Sequence, residues 1–320
     1  MIRALMLIFL LAGHAHATVM RPAKKSRQPA GSGVSANWAF VAKRLKAAGF
    51  KPRFIQTLHS TYETAEFQQV LELNTLLFLR KTDYHGPQVD QAAVEDVRKF
   101  VAANASSLTS ARKRYGVPGE VVASLMWIES RHGKAEGNFH VPSVFLDLIQ
   151  ADRPEVQRHL HTAALHYTPR ITAKVKKDID VRTHKRVAWA IGELKALDKM
   201  QKRDKNVVKE LRGSFAGAFG MPQFIPSSYV HYAHAAKKGS VADLEVAADA
   251  AHSVAFYLHQ SGWREGKQNS YIKALMQYNN SHDYAAAILN LADQAAPGSK
   301  RTPASKFTVR KRIKTQKAKR

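Results

Sequence analysis

Apolar residues recur along this chain at the spacing of helix faces and nowhere alternate as a series of strands would. Ala36–Ala48 and Pro52–Thr61 read as two short helices broken at Gly49, while the apolar run Phe67–Leu79 fits helix or strand. Polar Leu79–Gly86 carries turn residues. Gln88–Tyr115 reads as two helices, one with Val94, Val97, Phe100 and Val101 on a face, the next with Leu108, Ala111 and Tyr115. Val117–Gly133 is a further helix, with Pro118 suited to its first turn and Gly133 to the left-handed position past its end. Val141–Leu160 and Lys185–Gln201 are helical, and the basic, proline-broken stretch Tyr167–His184 joins them. Ala242–Gln260 is amphipathic and stops at Gly262, and Tyr271–Tyr278 and Tyr284–Ala295 complete the body. There is no convincing internal repeat, so the predicted class is mainly α.

The helix Val117–Gly133 carries the first candidate for chemistry. Val121, Val122, Leu125, Met126 and Ile128 fall on one face, and Glu129 lies seven residues after Val122 and four after Leu125. Its side chain is therefore expected to leave the apolar stripe rather than the wet side. A carboxyl placed there loses hydration, which raises its pKa toward the value a general acid needs near neutral pH. The same pattern fits a surface glutamate at a fraying helix end, and the helix alone does not choose.

Two other blocks are informative. Gly213–Tyr229, GSFAGAFGMPQFIPSSY, is neither a helical nor a strand pattern. Its glycines permit close backbone approach. Phe215, Phe219 and Phe224 offer faces on which a sugar could stack, and Ser214 and Gln223 offer hydrogen bonds. A packed internal loop is the plainer reading, but polar loops on rigid scaffolds carry function. Gln277–Tyr284, QYNNSHDY, places Tyr278 and Asn279 where they could face a cleft; taken alone it reads as an Asn-rich turn.

Composition narrows the setting. The chain has 320 residues, 45% of them hydrophobic, enough for one large domain or two small ones. It opens with Arg3, an apolar run from Ala4 to Ala12 and then Ala15-His16-Ala17, the pattern of a secretory signal peptide cleaved after Ala17. The absence of cysteine leaves no disulfide and no lipid-accepting residue, so no membrane anchor is expected. The formal charge is +25, and Lys300–Arg320 alone holds ten Lys or Arg with no acid. Such a surface attracts polyanions. An exported protein meets an anionic cell-envelope polymer rather than nucleic acid.

Taken together, the glutamate ending an apolar helix, the block Gly213–Tyr229 and the run Tyr278–Tyr284 resemble the membrane-bound lytic murein transglycosylase B family, glycoside hydrolase family 103. The resemblance runs from about Leu76 to Ala295 and is densest over Leu211–Tyr232. It implies a lysozyme-like, mainly α catalytic domain that cleaves the MurNAc–GlcNAc β-1,4 bond of peptidoglycan and leaves 1,6-anhydroMurNAc ends. By position it implies Glu129 as the sole catalytic acid and base. Ser214 and Gln223 would hold the muramoyl residue, Tyr278 and Asn279 would line the same subsite, and Tyr284 would support that wall. Phe224 joins them as a substrate-binding candidate.

Members commonly carry Thr after the catalytic Glu, where this chain has Ser130, and many carry an Asp-rich calcium loop after the middle block. Here that region is His234–Leu244, with Lys237, Lys238 and only Asp243 as a carboxylate, so no calcium is expected. His132, Glu136 and His140 share a helical spacing suited to zinc, but Gly133 and Gly137 argue against a continuous helix. No metal or cofactor is expected. Asp147 is the nearest other carboxylate that a two-acid mechanism could recruit, and a structural role is the plainer reading of it.

The expected organisation is a signal peptide over 1–17, a flexible linker over 18–36, a transglycosylase domain over 37–297 and a basic disordered tail over 298–320. Within the domain, N-terminal helices take 37–75 and the lysozyme-like core takes 76–297. The expected partner is the peptidoglycan glycan strand, in the periplasm, with the protein a monomer.

Overall fold

The helix that carries Glu129, α6 (Gly119–Ser130), is buried on nearly every side, which explains why its sequence is apolar almost throughout. A computed structural model describes residues 34–80 and 89–296. The expected signal peptide, most of the expected linker, the polar turn after Leu79 and the basic tail lie outside them. Preceding α6 are α1 (Trp38–Ala47), α2 (Pro52–Thr61), α3 (Phe67–Leu76), α4 (Gln91–Ala103) and α5 (Ala105–Tyr115). Following it are α7 (Val141–Leu148), α8 (Pro154–Ala163), α9 (Ala173–Gln201), the single turn α10 (Val207–Glu210) and α11 (Pro226–Tyr232). The body closes with α12 (Ala247–Gln260), α13 (Gln268–Tyr278) and α14 (His282–Ala295).

Helices α4, α5, α12 and α14 surround α6. Trp127 and Ala123 of α6 pack with Val94 and Val97 of α4 and Leu291 of α14, while Val121, Val122, Leu125 and Met126 face the main core. That core runs without a break from Val41 to Ala292. The apolar stripe expected on α6 is therefore one part of an all-round apolar surface.

Four details correct the sequence reading. The central helix stops at Ser130, three residues before Gly133, and Pro118 caps it rather than entering its first turn. Arg131 and His132 already take left-handed backbone, with φ of 54° and 55°, and Gly133 continues at 90°. Two non-glycine residues of this kind in succession store strain that the surrounding packing must hold. The stretch Tyr167–His184 is not a proline-broken connection: its one proline precedes Thr172, whose hydroxyl caps α9 by accepting from Val175 N at 3.2 Å. The Lys174–Asp178 pair and the burial of Ile179 and Thr183 then make a helix of a basic, weakly apolar segment. Val141–Leu160 is two helices, with Pro154 opening the second. Finally, the amphipathic run before Gly262 becomes helical only from Ala247.

Among the described residues the only sheet is the pairing of Phe139–His140 with Arg212–Gly213. It is small but well placed, because it ties the chain just beyond α6 to the start of the block Gly213–Tyr229.

Candidate active site

Glu129 is the next-to-last residue of α6, so the packing of α6 against α14 and α12 sets where its carboxyl lies. The residue is half-buried, yet the carboxyl group itself is enclosed. The Tyr284 hydroxyl, from the first turn of α14, donates a hydrogen bond to Glu129 Oε1. Tyr278 at the end of α13 and Tyr257 of α12 complete an aromatic cage, their rings 4.7 Å apart edge to face. Burial pushes the Glu129 acid up to about 7, against the opposing pull of the Tyr284 hydrogen bond. At neutral pH the group is thus divided between acid and carboxylate, the condition for giving a proton and then taking one back.

The residue after it has a specific job. Ser130 Oγ donates to Met221 O at 2.7 Å and accepts from Gly133 N at 2.9 Å. One hydroxyl thereby ties the C-terminus of α6 both to the left-handed corner and to the middle block. The Tyr278 hydroxyl makes a parallel tie by donating to the Pro222 carbonyl.

The middle block folds into two tight loops. In the first, Ser214 N donates to Ala218 O at 2.8 Å and Ser214 Oγ accepts from Ala218 N at 3.1 Å. Gly217 takes φ of 75°, and a Cβ there would lie 2.3 Å from the Phe145 ring of α7. In the second, Phe219 and Phe224 pair through reciprocal backbone hydrogen bonds, and Gln223 sits at their tip with φ of 51°. Gln223 Nε2 donates to Gly220 O at 3.0 Å, leaving Oε1 buried without a partner. A buried amide oxygen with no donor marks a place where a ligand donor fits.

The sequence candidates are therefore distributed as follows. Glu129, Tyr284, Tyr278 and the Pro222–Gln223 tip form one contact network, with Asn279 buried next to Tyr278. Ser214 lies in the other loop, fully buried, its turn fastened through Phe215 O, which accepts from Asn74 Nδ2 of α3 at 2.8 Å. Phe224 offers no stacking face: its ring is fully buried between Tyr257 and Tyr278, 5.9 and 6.0 Å away. Phe219 is likewise in the core, and of the three phenylalanines Phe215 alone stays half-buried. Alternation of small and aromatic residues arose here from packing.

Asp147 is buried on α7, where Tyr62 donates to it at 2.6 Å. Burial raises its pKa well above the usual range, and the other groups bearing on it are Tyr62 and Glu66. It is held in a separate network from Glu129. His132 stacks on Phe100 at 3.9 Å with Nε2 against Ala123 O, and His140 bonds Ser143 Oγ and Val208 O. Each imidazole is thus engaged apart from the other.

Four residues had no usable signal in the sequence. Tyr257 looks like any aromatic on an amphipathic helix until α12 brings it beside Glu129. Glu193 of α9 is buried and caps α11, accepting from Ser227 N and Ser227 Oγ at 2.8 Å each. Arg182 and Arg186, one turn apart on α9, both donate through Nε to Asn74 O, at 3.4 and 3.3 Å. Arg186 Nη2 is buried without a partner, and burial beside Arg182 lowers its pKa to about 9. Among the described residues no carboxylate pairs with either guanidinium; instead that of Arg186 lies over the Trp189 ring at 4.7 Å and that of Arg182 over the Phe78 ring at 5.1 Å.

The hydrogen bond from Tyr284 stabilises the charged form of Glu129, so its loss must raise the acid further. Tyr284→Phe should move the alkaline limb of kcat upward by about one pH unit. A pH–rate profile checks this, and a limb that stays in place contradicts the contact.

Comparison with known proteins places this arrangement. Residues 33–274 match the family described as Transglycosylase SLT domain. Membrane-bound lytic murein transglycosylase B of Escherichia coli (strain K12) is 31% identical over 162 residues, which are 51% of this chain and 36% of that protein. The chain thus matches about a third of the length of that curated relative. The fold is shared with soluble lytic transglycosylase SltB1 of Pseudomonas aeruginosa, with a TM-score of 0.61 and 20% identity over 81% of this chain and 97% of that one. It is shared also with E. coli Slt35 bound to bulgecin A, with a TM-score of 0.58 and 21% identity over 80% and 91%. SltB3 of P. aeruginosa, solved with a NAG-NAM-pentapeptide, gives a TM-score of 0.58 and 18% identity over 82% and 79%. With the family match spanning most of its length around an enclosed glutamate, this chain belongs to the transglycosylase SLT-domain family.

Proposed function

We propose that this protein is a peptidoglycan lytic transglycosylase that cleaves the MurNAc–GlcNAc β-1,4 bond with formation of 1,6-anhydroMurNAc ends. The observation that carries the reading is the enclosed carboxyl of Glu129, held by Tyr284 inside a tyrosine cage and poised near neutrality. Glu129 in its acid form protonates the glycosidic oxygen, and the C1–O bond breaks. The substrate's N-acetyl group stabilises the cationic centre. Glu129, now a carboxylate, removes the proton of the sugar's own O6, which closes on C1. Hydrolysis would call for a second carboxylate to direct water, and Asp147 is held elsewhere by Tyr62. The tethered O6 also has the advantage of proximity over external water.

Gln223, Asn279, Tyr278 and the Ser214 loop are proposed to bind the glycan. The SltB3 neighbour, solved with a NAG-NAM-pentapeptide, supports a glycan strand as ligand. An exported, monomeric protein without nucleic-acid partner or cofactor is proposed, acting in the periplasm and drawn to anionic wall by its net positive charge. One E. coli neighbour was solved with calcium. In this chain the loop after α11 carries Lys237 and Lys238, and the Asp249 carboxylate already accepts from Ala236 N and Asp243 N, so we propose no calcium.

The product tests the activity. Digested sacculi should yield muropeptides lighter by one water than lysozyme products, and borohydride should leave their new ends unreduced. New ends that take up hydride would make the protein a hydrolytic muramidase. A protein that binds sacculi and releases nothing would be a non-catalytic glycan binder.

A further inference from the structure

Away from the tyrosine cage, two basic segments far apart in the sequence meet on one surface. Residues 34–62 hold five Lys or Arg and no acid, and they fold into α1 and α2. Of the five, Arg44 pairs with Asp152 at 2.6 Å. Residues 202–210 hold four more beside Asp204 and Glu210. They follow α9 and end in α10, which packs against both α2 and α9 and is anchored by the buried Val207 and Val208. Lys46, Lys51 and Arg53 of the first segment are exposed, as are Lys202, Lys205 and Lys209 of the second. Among the described residues none of these six meets an acid, whereas Lys99, Arg112 and Lys174 on other helices pair with Glu95, Glu265 and Asp178. Packing thus gathers like charges that repel one another, and such a surface attracts a polyanion.

The surface borders the proposed glycan site. Lys209 stands five residues before Ser214, with the paired strand Arg212–Gly213 between them. Arg212 Nη1 and Nη2 donate to Glu63 Oε2 and Oε1 at 2.7 and 2.6 Å. That contact joins the chain just after α2 to the Ser214 loop and neutralises both partners, leaving the lysines as the net charge. A lysine ammonium is a compact, hydrated point charge on a flexible stem, suited to carboxylates met in varied geometry. We infer that the surface of α2 and α10 docks the carboxylate groups that the peptidoglycan strand carries beyond the cleft. It acts apart from the residues that grip the sugars beside Glu129, and it places the protein's attraction to the wall on one face.

The choice of occupant rests on peptidoglycan as the substrate, and binding measured without turnover keeps the two claims apart. The parent protein is the full chain carrying Glu129→Gln. Adding Lys51→Glu, Arg53→Glu, Lys205→Glu and Lys209→Glu should weaken its binding to purified sacculi about tenfold at low salt. The difference should vanish by about 0.5 M salt. All four side chains are exposed, so the fold should be kept. Lys113→Glu, Lys177→Glu, Lys267→Glu and Lys273→Glu remove the same charge from exposed positions elsewhere, and that protein should bind within about twofold of the parent. Equal weakening by the two sets would assign the attraction to net charge and overturn the docking surface, as would a patch variant that binds like the parent. Sacculi whose carboxylates are capped as neutral methylamides should bind parent and patch variant alike. A tenfold difference surviving the capping would give the surface to another anion and overturn the assignment. Should the unmutated protein release no muropeptides while binding still depends on the patch, the transglycosylase reading fails and the docking surface stands.

Discussion

Glu129→Gln should lower release of muropeptides from sacculi by more than about 10³-fold while leaving sacculus binding intact. Loss of a general acid alone costs about 10²–10⁴-fold, and here the same carboxyl also serves as the base. The amide oxygen still accepts from Tyr284, so the cage keeps its shape. A gain in stability should accompany the loss of activity. The folded Glu129 acid, at about 7, lies above its ordinary value of 4.5, so the native state holds the proton more tightly than the unfolded chain. That contribution is fully present below the ordinary range and declines as pH rises through 7. At pH 8 the variant is freed of a penalty on the order of 2 kcal/mol, and it should melt about 5 °C above the wild type, the two converging near pH 4. Thermal melts at both pH values check this. Activity within a few-fold of wild type would remove Glu129 from the mechanism.

Gly213→Ala should cost stability and activity together. A Cβ at Gly213 would lie 2.1 Å from Ala218 O, which is the acceptor for Ser214 N. The obstacle is backbone, so the Ser214 loop must open rather than a side chain turn aside. The pairing of Gly213 with Phe139, which ties the loop to the chain beyond α6, opens with it. Overpacking of this kind costs about 3 kcal/mol, or roughly 10 °C in melting temperature for a chain of this size. Gly192→Ala on α9 is the matched control, because nothing lies within 4 Å of its Cβ. It should be neutral or stabilising by about 0.5–1 kcal/mol. Equal melting temperatures for the two variants would show that the Ser214 loop yields without cost.

The sequence by itself determined the helical class, the helix that carries Glu129, and the two other blocks that meet around it. Those properties are local: helical spacing, a carboxyl among apolar residues, and glycines where side chains cannot fit. It did not determine where α6 ends. Gly133 is a sound stop signal, yet the tie of Ser130 to Met221, which lies 91 residues away, ends the helix earlier. Nor did it distinguish Phe224, sealed under two tyrosines, from the half-buried Phe215, since aromatic residues in a loop look alike until a partner covers one of them. It read the first turns of α9 as a connection because their helicity depends on burying Ile179 and Thr183 against other helices. Tyr257 and Arg186 were invisible for the same reason. Each draws its character from neighbours distant in sequence, and desolvation exists only once the tertiary fold has brought those neighbours into contact.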